Sequence, residues 1–176
     1  MGSNGAVGSG RARTTLAVAA LALMSVVAPL TGCSRDDFED RTAEVTVGEE
    51  KLRFRLDSCG LDESTLFVVG RSDEGEVLQA VVGLEGDGST GDPRATGLTV
   101  DVGDASYAAF GESSWELRDG DGSAPGTISW SRLRGARIQI SAEADPVDDQ
   151  GMPLSDPGAD SVRIDVDARC DERDAA

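Results

Sequence analysis

Apolar and polar residues alternate with a period of two along most of the chain after residue 41. Residues 44–47 and 51–56 flank a Gly-Glu-Glu turn, and the second run alternates Leu and Phe with Lys and Arg. Successive side chains of a strand point to opposite faces, so this pattern predicts a hairpin with one face in the core and a cationic outer face. Three further hairpins are predicted around turns rich in Gly and Asp: 65–70 with 76–84, 98–102 with 106–110, and 114–118 with 127–131.

The last predicted pair of strands shows the clearest alternation of apolar and polar residues. The apolar positions are Ala136, Ile138, Ile140 and Ala142, then Val162, Ile164, Val166 and Ala168. The connection 144–161 contains prolines and glycines, so it is predicted to be an irregular loop, with a length typical of functional or mobile loops. No stretch has a helical period. We therefore predict one all-β domain, an antiparallel β-sandwich or partly open barrel, over residues 42–170, followed by a polar tail at 171–176.

The N-terminal region follows a different pattern, with Arg11 and Arg13 preceding an uninterrupted run of apolar and small residues at 16–30. Charge, apolar segment and small residues in this order are typical of a secretory signal peptide. A transmembrane helix is the alternative, but it needs about 20 apolar residues, and this run is shorter, rich in Ala and carries Pro29 close to its end.

A lipobox ends this run: Leu30, Thr31, Gly32 and Cys33. The motif resembles that of bacterial lipoproteins, which implies a diacylglyceryl group on the Cys33 thiol and cleavage after Gly32. Residues 1–32 would then be removed, and 33–41 would be a lipidated cysteine and a short charged tether. Ordinary secretory cleavage, with Cys33 left as a third thiol, is the alternative. The sequence thus predicts a lipid-anchored protein on the extracytoplasmic face of the membrane, in the cell envelope.

The charge and the remaining cysteines refine this interpretation. The chain has 33 acidic residues, 16 basic residues and a net charge of −17. Such a surface repels nucleic acid, so nucleic acid is not an expected partner.

Cys59 and Cys170 form an even pair in an exported domain, which predicts a disulfide; two buried free thiols are the alternative.

The side chains needed for common catalytic centres are missing from the sequence. There is no histidine, which excludes Ser-His-Asp and Cys-His catalysis and disfavours zinc. Carboxylate pairs such as Asp119/Asp121 or Asp148/Asp149 could serve in glycoside cleavage. Trp115 and Trp130, however, each lie in a predicted strand, where core packing explains them. We therefore expect neither an enzyme nor a cofactor.

Two binding hypotheses remain open. Asp119 and Asp121 place two carboxylates one residue apart on a turn, which suits Ca²⁺, although Trp130 occupies the position where a helix-loop-helix site needs glutamate. Turn formation alone also explains these aspartates. Alternatively, a tethered β-domain could hold a lipid or small apolar ligand in a cavity between its sheets, although the same residues could also pack a plain core.

The order of features along the chain resembles the mycobacterial nineteen-kilodalton lipoprotein antigen family. The resemblance is most specific over residues 138–170, in the loop 151–157 and the terminal run 164–170. It implies a lipid-anchored envelope protein with a cysteine pair at Cys59 and Cys170. Members of the family act as surface antigens and host-receptor ligands, without established enzymatic activity. Together with the residues above, this favours a non-catalytic binding domain whose partner is a protein or an apolar ligand at the envelope.

Overall fold

The structure, a computed structural model, describes residues 40–62, 64–86, 90–118, 122–154 and 160–171. Strands account for most of these residues, so the prediction of an all-β domain is confirmed. In chain order the elements are β1 (Thr42–Val47), β2 (Glu50–Asp62), β3 (Thr65–Ser72), β4 (Val77–Glu85), β5 (Thr90–Val102), β6 (Ala105–Phe110), α1 (Glu112–Glu116), β7 (Thr127–Arg134), β8 (Arg137–Val147) and β9 (Val162–Arg169).

The strands form a closed antiparallel barrel of eight strands, where the sequence predicted a sandwich or a partly open barrel. Strands β1 to β6 follow one another in order, β9 pairs with β1, and β8 pairs with β9. A short pairing of β6 with β8, from Ser106↔Val147 to Ala108↔Asp145, closes the ring. The ninth strand, β7, lies outside this ring. It pairs with the N-terminal part of β8, on the edge of β8 whose C-terminal part pairs with β6.

The barrel interior is filled by the side chains that alternate inward along each strand. An eight-stranded barrel is just wide enough for side chains to fill its interior. The largest of these buried side chains are Phe54, Leu66, Leu78, Leu98, Ile138, Ile140 and Ile164. These side chains therefore form a packed core at the place where the carrier hypothesis would put a cavity between sheets.

Four of the five predicted strand pairs are confirmed, and one is wrong. The pairs β1–β2, β3–β4, β5–β6 and β8–β9 all form. Residues 114–118, predicted to be a strand pairing with 127–131, instead belong to the short helix α1 and the turn that follows it. The chain turns here because Gly111 donates its N–H to Thr96 O and accepts a hydrogen bond from Trp115 N–H, which begins the helix.

The disulfide prediction agrees with the structure. The Cα atoms of Cys59 and Cys170 lie 5.6 Å apart, with the sulfur atoms at disulfide distance. Both residues are buried, and Cys170 donates its N–H to Ala136 O at 2.9 Å. The bridge therefore ties β2 to the residue that follows β9, the last strand of the barrel.

Removing this bridge should destabilise the domain strongly. Because the bridge spans 111 residues, the chain-entropy model gives a stabilisation of about 4–5 kcal/mol. We expect the paired variant Cys59→Ser/Cys170→Ser to unfold at a much lower urea concentration than the wild type under non-reducing conditions. Adding reductant should lower the wild-type midpoint toward that of the variant. Equal midpoints with and without reductant would contradict a bond between these cysteines.

Candidate functional site

The outer face of the barrel is apolar where β3, β4 and β5 lie side by side. Phe67 and Val69 on β3 point outward, as does Val81 on β4, whose surface is 42% exposed. The neighbouring residues Leu66 and Val82 point into the core. These strands therefore carry apolar side chains on both faces, although Gln79 and Thr99 also lie on the outer face. In an antiparallel sheet the outer face is commonly polar.

This apolar wall forms the floor of an open groove of about 480 Å³ beside α1. Leu84 and Ala95 extend the floor, while Ser114 and Leu117 line the side formed by the helix. Its volume lies within the range of roughly 300–1,000 Å³ that is typical of sites for small ligands. The groove thus combines an apolar floor with a side formed by the helix, outside the filled barrel.

A second, smaller hydrophobic cluster holds α1 against the barrel. It consists of Ala108, Phe110, Trp115 and Val147, with Ala124 and Met152 packed against it. We call these six residues the outer core. The rings of Phe110 and Trp115 have centroids 5.5 Å apart, and Trp115 Nε1 donates to Gly122 O at 3.3 Å. A helix of five residues has little stability of its own, so these contacts determine its position.

Gly97 allows the outer core to approach the barrel closely. It pairs with Phe110 across β5 and β6. A Cβ atom at this position would lie 2.6 Å from the Phe110 ring and 2.7 Å from Ser114 Oγ. Contacts this short require the ring or the helix to move, so the absence of a side chain at Gly97 sets the distance between α1 and the groove floor.

Arg118 lies at the edge of the groove, directly after α1. Its guanidinium carbon is 4.9 Å from the centroid of the Phe110 ring, a cation–π distance. Among the described residues that line the groove, Arg118 alone carries an ionised side chain. The neighbouring Leu117 is 85% exposed. The groove therefore has an apolar floor and one positively charged end.

A second depression, of about 830 Å³, is polar and lies over β1, β2 and β3. Arg55 pairs with Asp73 at 2.8 Å, and Arg71 pairs with Asp57 at 3.3 Å. These side chains are more than half exposed, and exposed ion pairs contribute about 0–1 kcal/mol. The depression lies on the outer face of the first hairpin, which was predicted to be cationic. Its lining, however, contains both positively and negatively charged side chains.

Two of the described aspartates make contacts that order the backbone or a neighbouring side chain. Asp148 Oδ1 accepts hydrogen bonds from the N–H groups of Gln150 and Met152, each at 2.9 Å, and so orders its own loop. Arg163 donates to Asp165 at 2.9 Å, and this hydrogen bond lowers the pKa of the Asp165 carboxyl although burial opposes it. An ionised Asp165 suits an ion pair on the outside of β9 and does not provide a proton for general acid catalysis.

Several predicted site residues fall outside the described part of the chain. These are Cys33 with the signal peptide, and Asp119 and Asp121 of the calcium hypothesis. Within the described ranges, no three His, Cys, Asp or Glu side chains come together as a metal site. No helix in those ranges is long and apolar enough to cross a membrane.

The two tryptophans are placed differently from the prediction. Trp115 is buried as expected, but it lies in α1 and packs in the outer core instead of on a strand. Trp130 lies on β7 as predicted, yet it is 40% exposed, with Arg132 5.7 Å above its ring. Neither ring is part of the barrel core.

Substitution of Gly97 tests how the groove is built. We expect Gly97→Ala to cost about 1–3 kcal/mol of stability through overpacking and to change the environment of Trp115. The tryptophan fluorescence spectrum in a Trp130→Phe background would report Trp115, the remaining tryptophan of the sequence. Gly75→Ala is the control, because a Cβ there meets nothing within 4 Å. It should leave the Trp115 signal intact, despite the strain of a positive φ. An unchanged spectrum for Gly97→Ala would contradict the close approach.

Comparison with known proteins does not assign this chain to a family. No protein-family model matches the chain, and no curated protein matches it. The resemblance to the mycobacterial nineteen-kilodalton lipoprotein antigens stays a prediction from the sequence. The groove and the outer core are therefore the features on which a function is proposed.

Proposed function

We propose that this chain is a lipid-anchored, non-catalytic binding module of the cell envelope, and that the groove beside α1 is its binding site. The observation that carries the proposal is the exposed apolar floor around Phe67, Val69 and Val81. The chain as a whole carries a net charge of −17. A concave site lined mainly by apolar side chains is typical of a binding site for a small ligand.

The lipobox supports the location of this activity. Cys33 would carry the lipid, and two or more acyl chains give stable membrane anchoring. The described chain then begins at Asp40, directly before β1. The domain would thus act close to the outer surface of the membrane.

A carrier of small apolar ligands is the second candidate function. The filled barrel leaves no room for a ligand between the sheets, so such a ligand would bind in the external groove. The groove volume of about 480 Å³ supports this candidate. The calcium hypothesis depends on Asp119 and Asp121, which lie outside the described residues, and we do not extend it.

The anchor is tested by Cys33→Ser. Without the thiol no lipid can be attached, so we expect the domain to move from the membrane fraction to the medium of its host. Ser34→Ala keeps the thiol and serves as the matched control, which should stay in the membrane fraction. A Cys33→Ser variant that sediments with the membranes would contradict lipid anchoring.

The groove is tested with Nile red, an uncharged dye that fluoresces in apolar surroundings. We expect the Cys33→Ser domain to bind it, and Val81→Asp to weaken binding about tenfold or more, because a carboxylate on the groove floor is costly to desolvate. Leu154→Asp is the control, since Leu154 is 65% exposed and is not part of the groove lining. It should bind the dye like the parent.

Two results would contradict this function. One is a parent domain that does not bind Nile red at all. The other is equal loss of binding in Val81→Asp and Leu154→Asp, which would mean that the dye reports general surface hydrophobicity. Thermal melts of both variants would confirm that each is folded.

A further inference from the structure

We propose that the groove binds a single acyl chain of a membrane amphiphile that carries an anionic group, with the anionic group at Arg118. This inference rests on the proposed function, because it assigns the ligand class of the same groove. It is supported by the lining of the groove, by the contacts of Arg118 and by the short connection between the lipidated cysteine and the domain.

The lining matches an aliphatic chain. Its floor includes the apolar side chains of Phe67, Val69, Val81 and Leu84, together with the uncharged polar side chains of Gln79 and Thr99. Gly83 keeps this floor low, since a Cβ there would clash with Ala95. The apolar floor would shield an aliphatic chain from water, with a gain of about 0.8 kcal/mol for each methylene buried.

Arg118 supplies the charge complementarity. Its guanidinium stacks over Phe110 and lies near the backbone of Gly151, since a Cβ at that glycine would be 3.3 Å from Arg118 Nη2. These contacts hold the cation at the end of the apolar floor. The net charge of −17 makes the chain as a whole unfavourable for anions. A carboxylate or phosphate group is therefore best placed at this end of the groove, where a guanidinium can donate two parallel hydrogen bonds.

The short connection to the lipidated cysteine would keep the whole domain, and with it the groove, near the membrane. Six residues lie between Cys33 and Asp40, and a fully extended chain over that separation spans at most about 25 Å. A lipid-anchored domain would therefore keep the groove within reach of amphiphiles at the membrane surface.

The experiment measures displacement of Nile red from the Cys33→Ser domain, which lacks any lipid of its own. Oleate and its methyl ester have the same chain and differ in charge. We expect oleate to displace the dye at a concentration about tenfold lower than the ester, as for one partly exposed charge-assisted hydrogen bond. Arg118→Gln should abolish this preference while dye binding persists. Arg118→Lys, which keeps the charge, should retain part of it.

The outcomes separate the two proposals. If Nile red binds but oleate and methyl oleate displace it equally, the groove remains a binding site and the anionic ligand is wrong. If Arg118→Gln keeps the preference for oleate, the role of Arg118 is wrong. If the parent does not bind Nile red, the proposed function itself fails.

A competing occupant of the groove is a second copy of the chain. Sedimentation velocity on the Cys33→Ser domain tests this directly. We expect a monomer with and without oleate. A dimer that dissociates on Val81→Asp would show that the groove is a contact between copies and would overturn the proposal.

Discussion

The structure depends on how one edge of β8 is shared between two strands. Its C-terminal end pairs with β6 and closes the barrel, whereas its N-terminal part pairs with β7. Where the two partners separate, Gly126 has a φ of +60°, and a Cβ there would lie 2.7 Å from Ala108 O. The buried Asp145 accepts a hydrogen bond from the Gly126 N–H at 2.8 Å. Only glycine combines this conformation with so close an approach, so the branch point is specified by one small residue and one buried carboxylate.

This shared edge explains why a functional surface forms outside the barrel. β6 ends at Phe110, and its outward side chains, Ala108 and Phe110, must be covered because they are apolar. The chain covers them with α1 on its way to β7, and the outer core results. The groove is the space between that cover and the exposed wall of β3, β4 and β5. The site is therefore a consequence of barrel closure and needs no space within the barrel.

Strand positions were predictable from the sequence because the core requires inward residues at every second position. The runs that became β8 and β9 show this most clearly, and they pair as predicted. β8, however, continues to Val147, into the stretch 144–161 that was predicted to be an irregular loop. Closure was not predictable, because it depends on a few residue pairs between β6 and β8 that leave no local pattern. α1 was missed because five residues are too few to show a helical period, and the alternation of Trp115, Glu116 and Leu117 also fits a strand. The groove did leave a signal: residues 65–69 and 80–82 contain continuous apolar runs, which indicate strands with apolar residues on both faces.

The two hydrophobic clusters give the domain two levels of stability. The barrel core is large, surrounded by paired strands and tied by Cys59 and Cys170. The outer core has four buried members among the described residues and holds a helix that is too short to be stable alone. Local opening of a protein follows such differences in buried contacts. The groove is therefore bounded by a rigid wall on one side and by a weakly held helix on the other.

A ligand that contacts both Val81 and Arg118 would stabilise the weaker side and leave the barrel unchanged. Binding would then be detected at Trp115, in the outer core, while the strands of the barrel keep their register.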